Sequence, residues 1–219
     1  AEVAYENINL GFDWVYAGLT FSDVLEGPLT YRGWESPWAP ARAVDEKSGI
    51  DYVDALLLDE QEIWNSDTYF NDQYSTNGST VITFSFSGID GGDPLYVDNY
   101  DDWKTADTTV SPFNDIQMEA TIRALNEWSK VANITFVEVP EKEDQVGELR
   151  FAFTDAGFGD NVWGFASLPG STPNSGDVWV NLDLKTDSNW EQGSAFNFSG
   201  LMHEIGHAIG LEHPHEGID

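Results

Sequence analysis

All four histidines of this chain lie near its C-terminal end, in the stretch HEIGHAIGLEHPHEGID. His203 and His207 are four residues apart, so on a helix both imidazoles project from one face, about one turn apart. Two imidazoles at that spacing can chelate one metal ion. The chain has no cysteine, so a transition metal must be held by imidazole and carboxylate groups. The spacing therefore predicts a metal-binding helix.

Three further positions extend this pair to a hydrolytic site. Glu204 follows the first histidine on a neighbouring part of the helix surface, where it can act as general base toward a metal-bound water. Gly210 allows the helix to end in a left-handed turn, which brings His213 back to the same ion. Three neutral imidazoles and an open fourth position are typical of catalytic zinc. We predict one catalytic Zn2+ on His203, His207 and His213, with Glu204 as the base.

The helix that carries these ligands must also pack against a core. The helical pattern begins near AFNFSGLMHEIGHAIG, and its apolar residues fall on the side opposite the histidines. We expect this side to lie on a sheet while the histidines face a cleft. The apolar residues are Leu201, Met202, Ile205, Ala208 and Ile209.

Regular elements precede this helix. Ile82, Phe84 and Phe86 alternate with polar residues, as on a half-buried strand. A long helix follows in SPFNDIQMEATIRALNEWSKV, with Ser111 as N-cap and Pro112 at its first position. Four more strands are predicted at NITFVEV, ELRFAF, VWGFASL and DVWVNLDL. The order favours an α+β fold, a five-stranded twisted mixed sheet with two long helices on one face.

The N-terminal third has a different character. Residues 1–75 are acidic and aromatic and are broken by Gly and Pro. One short helix is predicted in GIDYVDALLLDEQEIW, where Val53, Leu56 and Leu57 recur at helical spacing. We interpret residues 1–75 as an extension wrapped on a main domain at residues 76–219.

The charge balance excludes some classes of partner. The chain of 219 residues has 39 acidic and 9 basic residues, a formal net charge of -30. Such a surface repels phosphate backbones and anionic lipids, so we expect neither nucleic acid nor membrane partners. The acidity is typical of a secreted protein in saline surroundings, and calcium binding is a weaker interpretation of it.

The string HEIGHAIGLEH matches HExxHxxGxxH, the zinc signature of the metzincin metalloproteases. LNEWSKVANITFVEV and WGFASLPG resemble the first helix–second strand junction and the edge strand of that family. HEIGHAIGLEHP is similar to the serralysins, secreted bacterial endopeptidases. The resemblance implies a zincin-like catalytic domain, polypeptide substrates, zinc on the three histidines and Glu204 as base. It also implies that the backbone of Gly164, Phe165 and Ala166 pairs with an extended substrate, the alternative being ordinary sheet packing.

The chain departs from the serralysin pattern in several places. His215 stands where serralysins usually have Gly, and we interpret it as an exposed neighbour of the site. No methionine turn or metal-ligating tyrosine follows the motif, since Met118 and Met202 both precede its end in predicted helices. We therefore expect an upper subdomain that ends just after the zinc motif. The lower subdomain, the missing C-terminal part of its own catalytic domain, would then be a partner.

The loop TDAGFGDNVWG bears on other metals. It has no histidine, so the second, structural zinc of matrix metalloproteinases is not expected here. Asp155 and Asp160 are candidates for Ca2+, although composition favours the simpler interpretation of a solvated acidic loop.

Three functions compete at this point. The first is a secreted zinc endopeptidase of serralysin type. The second is a catalytically incomplete zinc-binding fragment or interaction module of such a protease. The third, an acidic calcium-binding surface protein, rests on stretches such as DGGDPLYVDNYDDW and leaves the histidine clustering unexplained.

Overall fold

The computed structural model describes residues 41–44, 49–57, 61–64, 80–88, 109–141, 146–155, 162–170, 174–190 and 195–214. The strands are β1 (Ala41–Val44), β2 (Gln61–Trp64), β3 (Thr80–Phe86), β4 (Val110–Ser111), β5 (Ile134–Glu138), β6 (Leu149–Thr154), β7 (Gly164–Ala166) and β8 (Asp177–Asn181). The helices are α1 (Asp51–Asp54), α2 (Asp115–Val131) and α3 (Ala195–Ala208), with a 3-10 turn at Leu182–Leu184.

The main sheet is mixed, as the sequence predicts. Its strands run in the order β5-β3-β6-β8-β7, with parallel pairs as far as β8 and an antiparallel β7. All five predicted strands are present. The sheet also contains β4, which pairs antiparallel with β6. At two residues, β4 is too short to produce an alternating pattern, so sequence periodicity could not predict it.

The core lies between this sheet and the two long helices. Ile82, Phe84 and Phe86 are 0–3% exposed, and their cluster includes residues from both helices. Phe113 packs against the rings of Phe86 and Phe151 in this cluster. On the predicted apolar side of α3, Leu201, Ile205 and Ala208 are buried, and the two others, Met202 and Ile209, are partly buried against the core. This confirms the expected packing of helices on one face of the sheet.

The start of α2 differs from the prediction. The N-cap is Asn114, not Ser111, and Pro112 precedes the helix. Asn114 and Gln117 form a capping box in which each side chain accepts the other's backbone N–H. Ser111 belongs instead to β4, where it pairs with Phe153. The capping box satisfies the N–H groups of Asn114 and Gln117 at the start of the helix, and the pairing of Ser111 in β4 keeps that residue out of the helix.

The segment predicted as one short helix is part helix and part strand. α1 covers Asp51–Asp54, whereas Gln61–Trp64 pairs antiparallel with Ala41–Val44. The short helix is therefore present, but residues 61–64 form a strand that was not predicted, because its partner lies about twenty residues upstream, beyond any local pattern. Trp64 is 6% exposed and belongs to the core cluster. The boundary proposed at residue 75 lies outside the described residues.

The face of the sheet opposite the helices carries a buried polar network. Arg150 donates from Nε and Nη2 to the two carboxylate oxygens of Glu141, at 2.7 and 3.1 Å. The hydroxyls of Ser85 and Ser87 donate to the same carboxylate. Each buried charge is thereby paired and hydrogen-bonded, which offsets its desolvation. Within the described residues, no helix combines the length and apolar character needed to cross a bilayer.

Candidate metal centre

The three predicted ligands converge on one point. The Nε2 atoms of His203 and His207 are 3.1 Å apart, and that of His213 lies 3.0 and 3.2 Å from them. Tetrahedral zinc with Zn–N distances of about 2.0–2.1 Å requires ligand nitrogens roughly 3.3 Å apart. Among the described residues this is the one group of three or more potential ligand side chains. The three imidazoles therefore fit a single zinc ion.

The turn after α3 delivers the third ligand. Gly210 has φ +114°, a backbone region that residues with a Cβ rarely adopt. Its N–H donates to the His207 carbonyl at 2.9 Å, and the N–H of Leu211 donates to the Gly206 carbonyl at 2.9 Å. This pair of bonds is the Schellman motif that ends many helices. The chain reverses there, as the sequence predicts, and returns His213 to the histidines of the helix.

A backbone hydrogen bond and burial favour the forms of His207 and His203 that can bind a cation. Nδ1 of His207 lies 2.6 Å from the Leu211 carbonyl, so it carries the proton and leaves the Nε2 lone pair toward the site. Burial, together with the nearby His207 and His213, holds the pKa of His203 below its ordinary value. The neutral, ligating form is thereby favoured.

Glu204 lies buried beside the ligands, against the neighbouring strand. Glu204 is 6% exposed, and burial raises the pKa of its carboxyl group to about 7. A Cβ placed on Gly164 would lie 3.4 Å from the Glu204 Cγ. The β7 backbone therefore passes directly along the side chain predicted to act as base.

The register of β7 divides its backbone groups between the sheet and the outer edge. Asn181 N–H donates to the Trp163 carbonyl, and Ser167 N–H donates to the Asp177 carbonyl. Since antiparallel pairs alternate, Phe165 also faces β8, opposite Trp179. The N–H and C=O groups of Gly164 and Ala166 point the other way. Among the described strands none pairs with that edge.

A tryptophan joins this edge strand to the metal helix. The ring of Trp163 covers Gly200, where an added Cβ would approach it to 2.4 Å. Its Nε1 donates to the Asn197 side chain at 3.1 Å, and Asn197 donates in turn to Asp187. Glycine at position 200 therefore permits β7 to lie close to α3.

Several elements of the site escape prediction from sequence. The Leu211 carbonyl is a backbone group and has no residue-type signal. Gly206 and Gly200, two glycines inside a helix, do offer a signal of close packing. Of the calcium candidates, Asp155 accepts a hydrogen bond from the Thr109 N–H at 2.8 Å, which lowers its pKa. Asp160 and His215 lie outside the described residues, and calcium binding stays a prediction.

Comparison with known proteins decides the family. The model of the matrixin peptidase family matches residues 98–217, more than half of the chain and inclusive of all the histidines. The chain belongs to the matrixin family. This confirms the resemblance to metzincin proteases and places the three converging imidazoles within a family of metallopeptidases.

Individual relatives of this matrixin are serralysins. It is 29% identical to serralysin B of Dickeya chrysanthemi over 157 residues, 70% of this chain and 29% of that protein. Serralysin C of the same organism is 28% identical over 212 residues, 96% of this chain and 38% of that protein. A serralysin of Photorhabdus sp. (strain Az29) is 34% identical over 108 residues, 49% of this chain and 22% of that protein. The chain spans well under half the length of these curated relatives.

Proposed function

We propose that this matrixin is a secreted zinc endopeptidase that hydrolyses peptide bonds of proteins, with Glu204 as the base toward the attacking water. The observation that carries the proposal is the convergence of three imidazole Nε2 atoms within 3.0–3.2 Å beside a buried carboxylate. The serralysin relatives and the family support the same reaction class. The strongly acidic composition supports secretion.

His203, His207 and His213 would hold the zinc ion. A bound zinc ion supplies Lewis acidity, which polarises a substrate carbonyl and makes water reactive near neutral pH. Glu204, whose pKa burial raises to about 7, takes a proton from the attacking water and returns it to the leaving amine. A base with a pKa near the working pH can serve in both steps.

The edge of β7 is the proposed substrate platform. An extended peptide would exchange hydrogen bonds with the outward N–H and C=O groups of Gly164 and Ala166. The backbone groups of Phe165 face β8, so the expected pairing of this residue with the peptide does not fit the register, and it serves only to space Gly164 from Ala166. The scissile bond would lie beside Glu204, which Gly164 adjoins.

The test compares metal content and casein hydrolysis in the 219-residue chain and its variants. We expect one zinc per chain, and Glu204→Ala should keep that zinc while hydrolysis falls by roughly 10²–10⁴-fold. His213→Ala should lose both zinc and hydrolysis, and His215→Ala, the matched control, should keep both. Absence of stoichiometric zinc, or undiminished hydrolysis by Glu204→Ala, would contradict the proposal. Zinc binding without hydrolysis would favour the alternative of a catalytically incomplete zinc-binding module.

A further inference from the structure

The last turn of α3 is completed by a residue far away in the chain. The last four carbonyls of a helix have no intrahelical partner. Those of Ile205, Gly206 and His207 accept from the following backbone at 2.9–3.0 Å. The fourth, that of Ala208, accepts from Nε1 of Trp64 at 2.8 Å, in a buried hydrogen bond across 144 residues. Trp64 thus supplies the donor for the one of these four carbonyls that the following backbone does not reach.

The indole of Trp64 is held in place by its surroundings. It is 6% exposed and packs in the core cluster. A Cβ on Gly176, which precedes β8, would approach the Trp64 ring to 2.9 Å. The ring therefore connects the start of β8 with the end of the metal helix.

A second contact from the same N-terminal region reaches the other end of the ligand turn. The N–H of Glu212, the residue before His213, donates to the Leu56 carbonyl at 2.9 Å. Leu56 lies in the turn that follows α1, where its own N–H donates to Val53 at 3.0 Å. The turn from Ala208 to Glu212 is therefore tied to residues 56 and 64 at both of its ends.

We propose that Trp64 and Leu56 are positioning residues that set the place of His213 relative to His203 and His207. The proposal rests on the zinc site of the proposed function. Local bonds join the turn to the end of α3, and the two contacts with Trp64 and Leu56 hold it against the rest of the molecule. Partners that orient ligands without touching the metal strengthen its binding. Trp64 and Leu56 would thereby serve metal affinity as well as folding.

The chain offers a matched pair of substitutions for the test. Trp64→Phe removes the indole N–H from the Ala208 carbonyl. Trp190→Phe removes an equivalent bond, since Nε1 of the buried Trp190 donates to the Leu184 carbonyl at 2.7 Å, away from the ligand turn. The measurement is the zinc dissociation constant of each full chain, obtained by competition with a chromogenic chelator, alongside thermal unfolding without metal.

We expect Trp64→Phe to raise the zinc dissociation constant roughly tenfold or more, and Trp190→Phe to leave it within about twofold. Both should lower the unfolding temperature of the metal-free chain to a similar extent. Equal zinc affinities in Trp64→Phe and the unaltered chain, or equal losses in the two variants, would overturn the proposal. If the unaltered chain bound no zinc, the proposed function itself would fail, which is a distinct result.

A measurement on the unaltered chain covers the case in which Trp64→Phe does not fold. Amide hydrogen exchange of Glu212 should be slowed by roughly tenfold or more relative to an unstructured peptide, because its N–H is bonded to Leu56. Exchange of Glu212 at the unstructured rate, in a metal-free chain whose α3 amides are protected, would overturn the proposal.

Discussion

Single residues at the metal centre combine opposing requirements. Glu204 must be a carboxylate to accept a proton, yet its burial beside β7 favours the neutral acid. Gly164 permits this arrangement because it places no side chain against Glu204. A larger residue at position 164 would therefore crowd the side chain of Glu204.

The first prediction concerns that absent side chain. In Gly164→Ala the new Cβ would lie 2.7 Å from the Trp179 carbonyl oxygen and crowd the Glu204 Cγ at 3.4 Å. Because backbone cannot yield cheaply, we expect a loss of about 1–3 kcal/mol of stability. Displacement of the edge strand should also lower kcat/KM roughly tenfold or more. The measurement is kcat/KM for casein hydrolysis, with thermal unfolding and zinc content as controls. An unchanged kcat/KM in the zinc-loaded variant would contradict the prediction.

The second prediction concerns pH and uses a carboxylate away from the ligands. Burial raises the pKa of Glu138, in β5, from 4.5 to about 7. The folded state therefore binds more protons than the unfolded state in this range, and stability falls as the pH rises from 4.5 to 7. Glu138→Gln should stabilise the metal-free chain by about 3 kcal/mol at pH 8 and have little effect at pH 4. Urea unfolding at the two pH values checks this, and a pH-independent effect would contradict it.

At the scale of elements, α3 carries two of the three converging histidines and is packed closely against two tryptophan rings. Trp163 covers Gly200, and Trp128 lies against Gly206, where an added Cβ would be 3.2 Å from its ring. Nε1 of Trp128 also donates to the Met202 carbonyl at 3.1 Å, one residue before His203. Gly200 and Gly206 thus lower the intrinsic stability of the helix, but they allow the two tryptophan rings to pack closely against it.

The third prediction uses these two glycines as a matched pair. Gly200→Ala and Gly206→Ala gain the same helix propensity, about 1 kcal/mol each. The new Cβ at 200 would meet the Trp163 ring at 2.4 Å, whereas at 206 the nearest ring atom is 3.2 Å away. We expect Gly200→Ala to lose about 2 kcal/mol or more, and Gly206→Ala to change stability by less than about 1 kcal/mol. Chemical unfolding of both checks this, and equal effects would contradict it.

At the scale of the whole molecule, charge is unevenly divided between interior and surface. The buried pair of Arg150 and Glu141 is 2.7 Å apart and fully hydrogen-bonded. The chain as a whole carries a formal net charge of -30, which repels itself in the compact state. The two charges of this interior pair offset each other, and the excess negative charge is a property of the molecule as a whole.

The fourth prediction follows from this excess. Raising NaCl from about 0.1 to 1 M shortens the Debye length from about 10 to 3 Å, which weakens the self-repulsion. We expect the unfolding temperature at pH 8 to rise by several degrees, at about 2–4 °C per kcal/mol for a chain of this size. The control is the same NaCl series near pH 4. This is about the ordinary pKa of Asp and Glu, so fewer carboxylates are charged and the rise in unfolding temperature should be smaller. A falling or constant unfolding temperature at pH 8 would contradict the prediction.

The convergence of the three imidazoles could be predicted from the sequence because it depends on local geometry. His203, Glu204 and His207 lie on one helix, whose period places them without reference to any other element. Gly210 and His213 follow within one turn, whose bonds join neighbouring residues. Five strands of the main sheet are likewise visible in the sequence as alternating or apolar runs, whereas β4, with two residues, is too short to give such a pattern. Short-range periodicity is a property of the chain itself.

Tertiary structure alone decided the contacts that surround this set. Trp64 reaches Ala208 across 144 residues, and Gly164 adjoins Glu204 because β7 and α3 pack together. The strand at Gln61–Trp64 pairs with Ala41–Val44, and no local sequence pattern predicts which segment is its partner. Such contacts depend on which distant elements pack side by side, and that is settled by burial of the whole core. Residue types and spacing therefore determined what could bind the metal, and packing determined what holds those ligands in place.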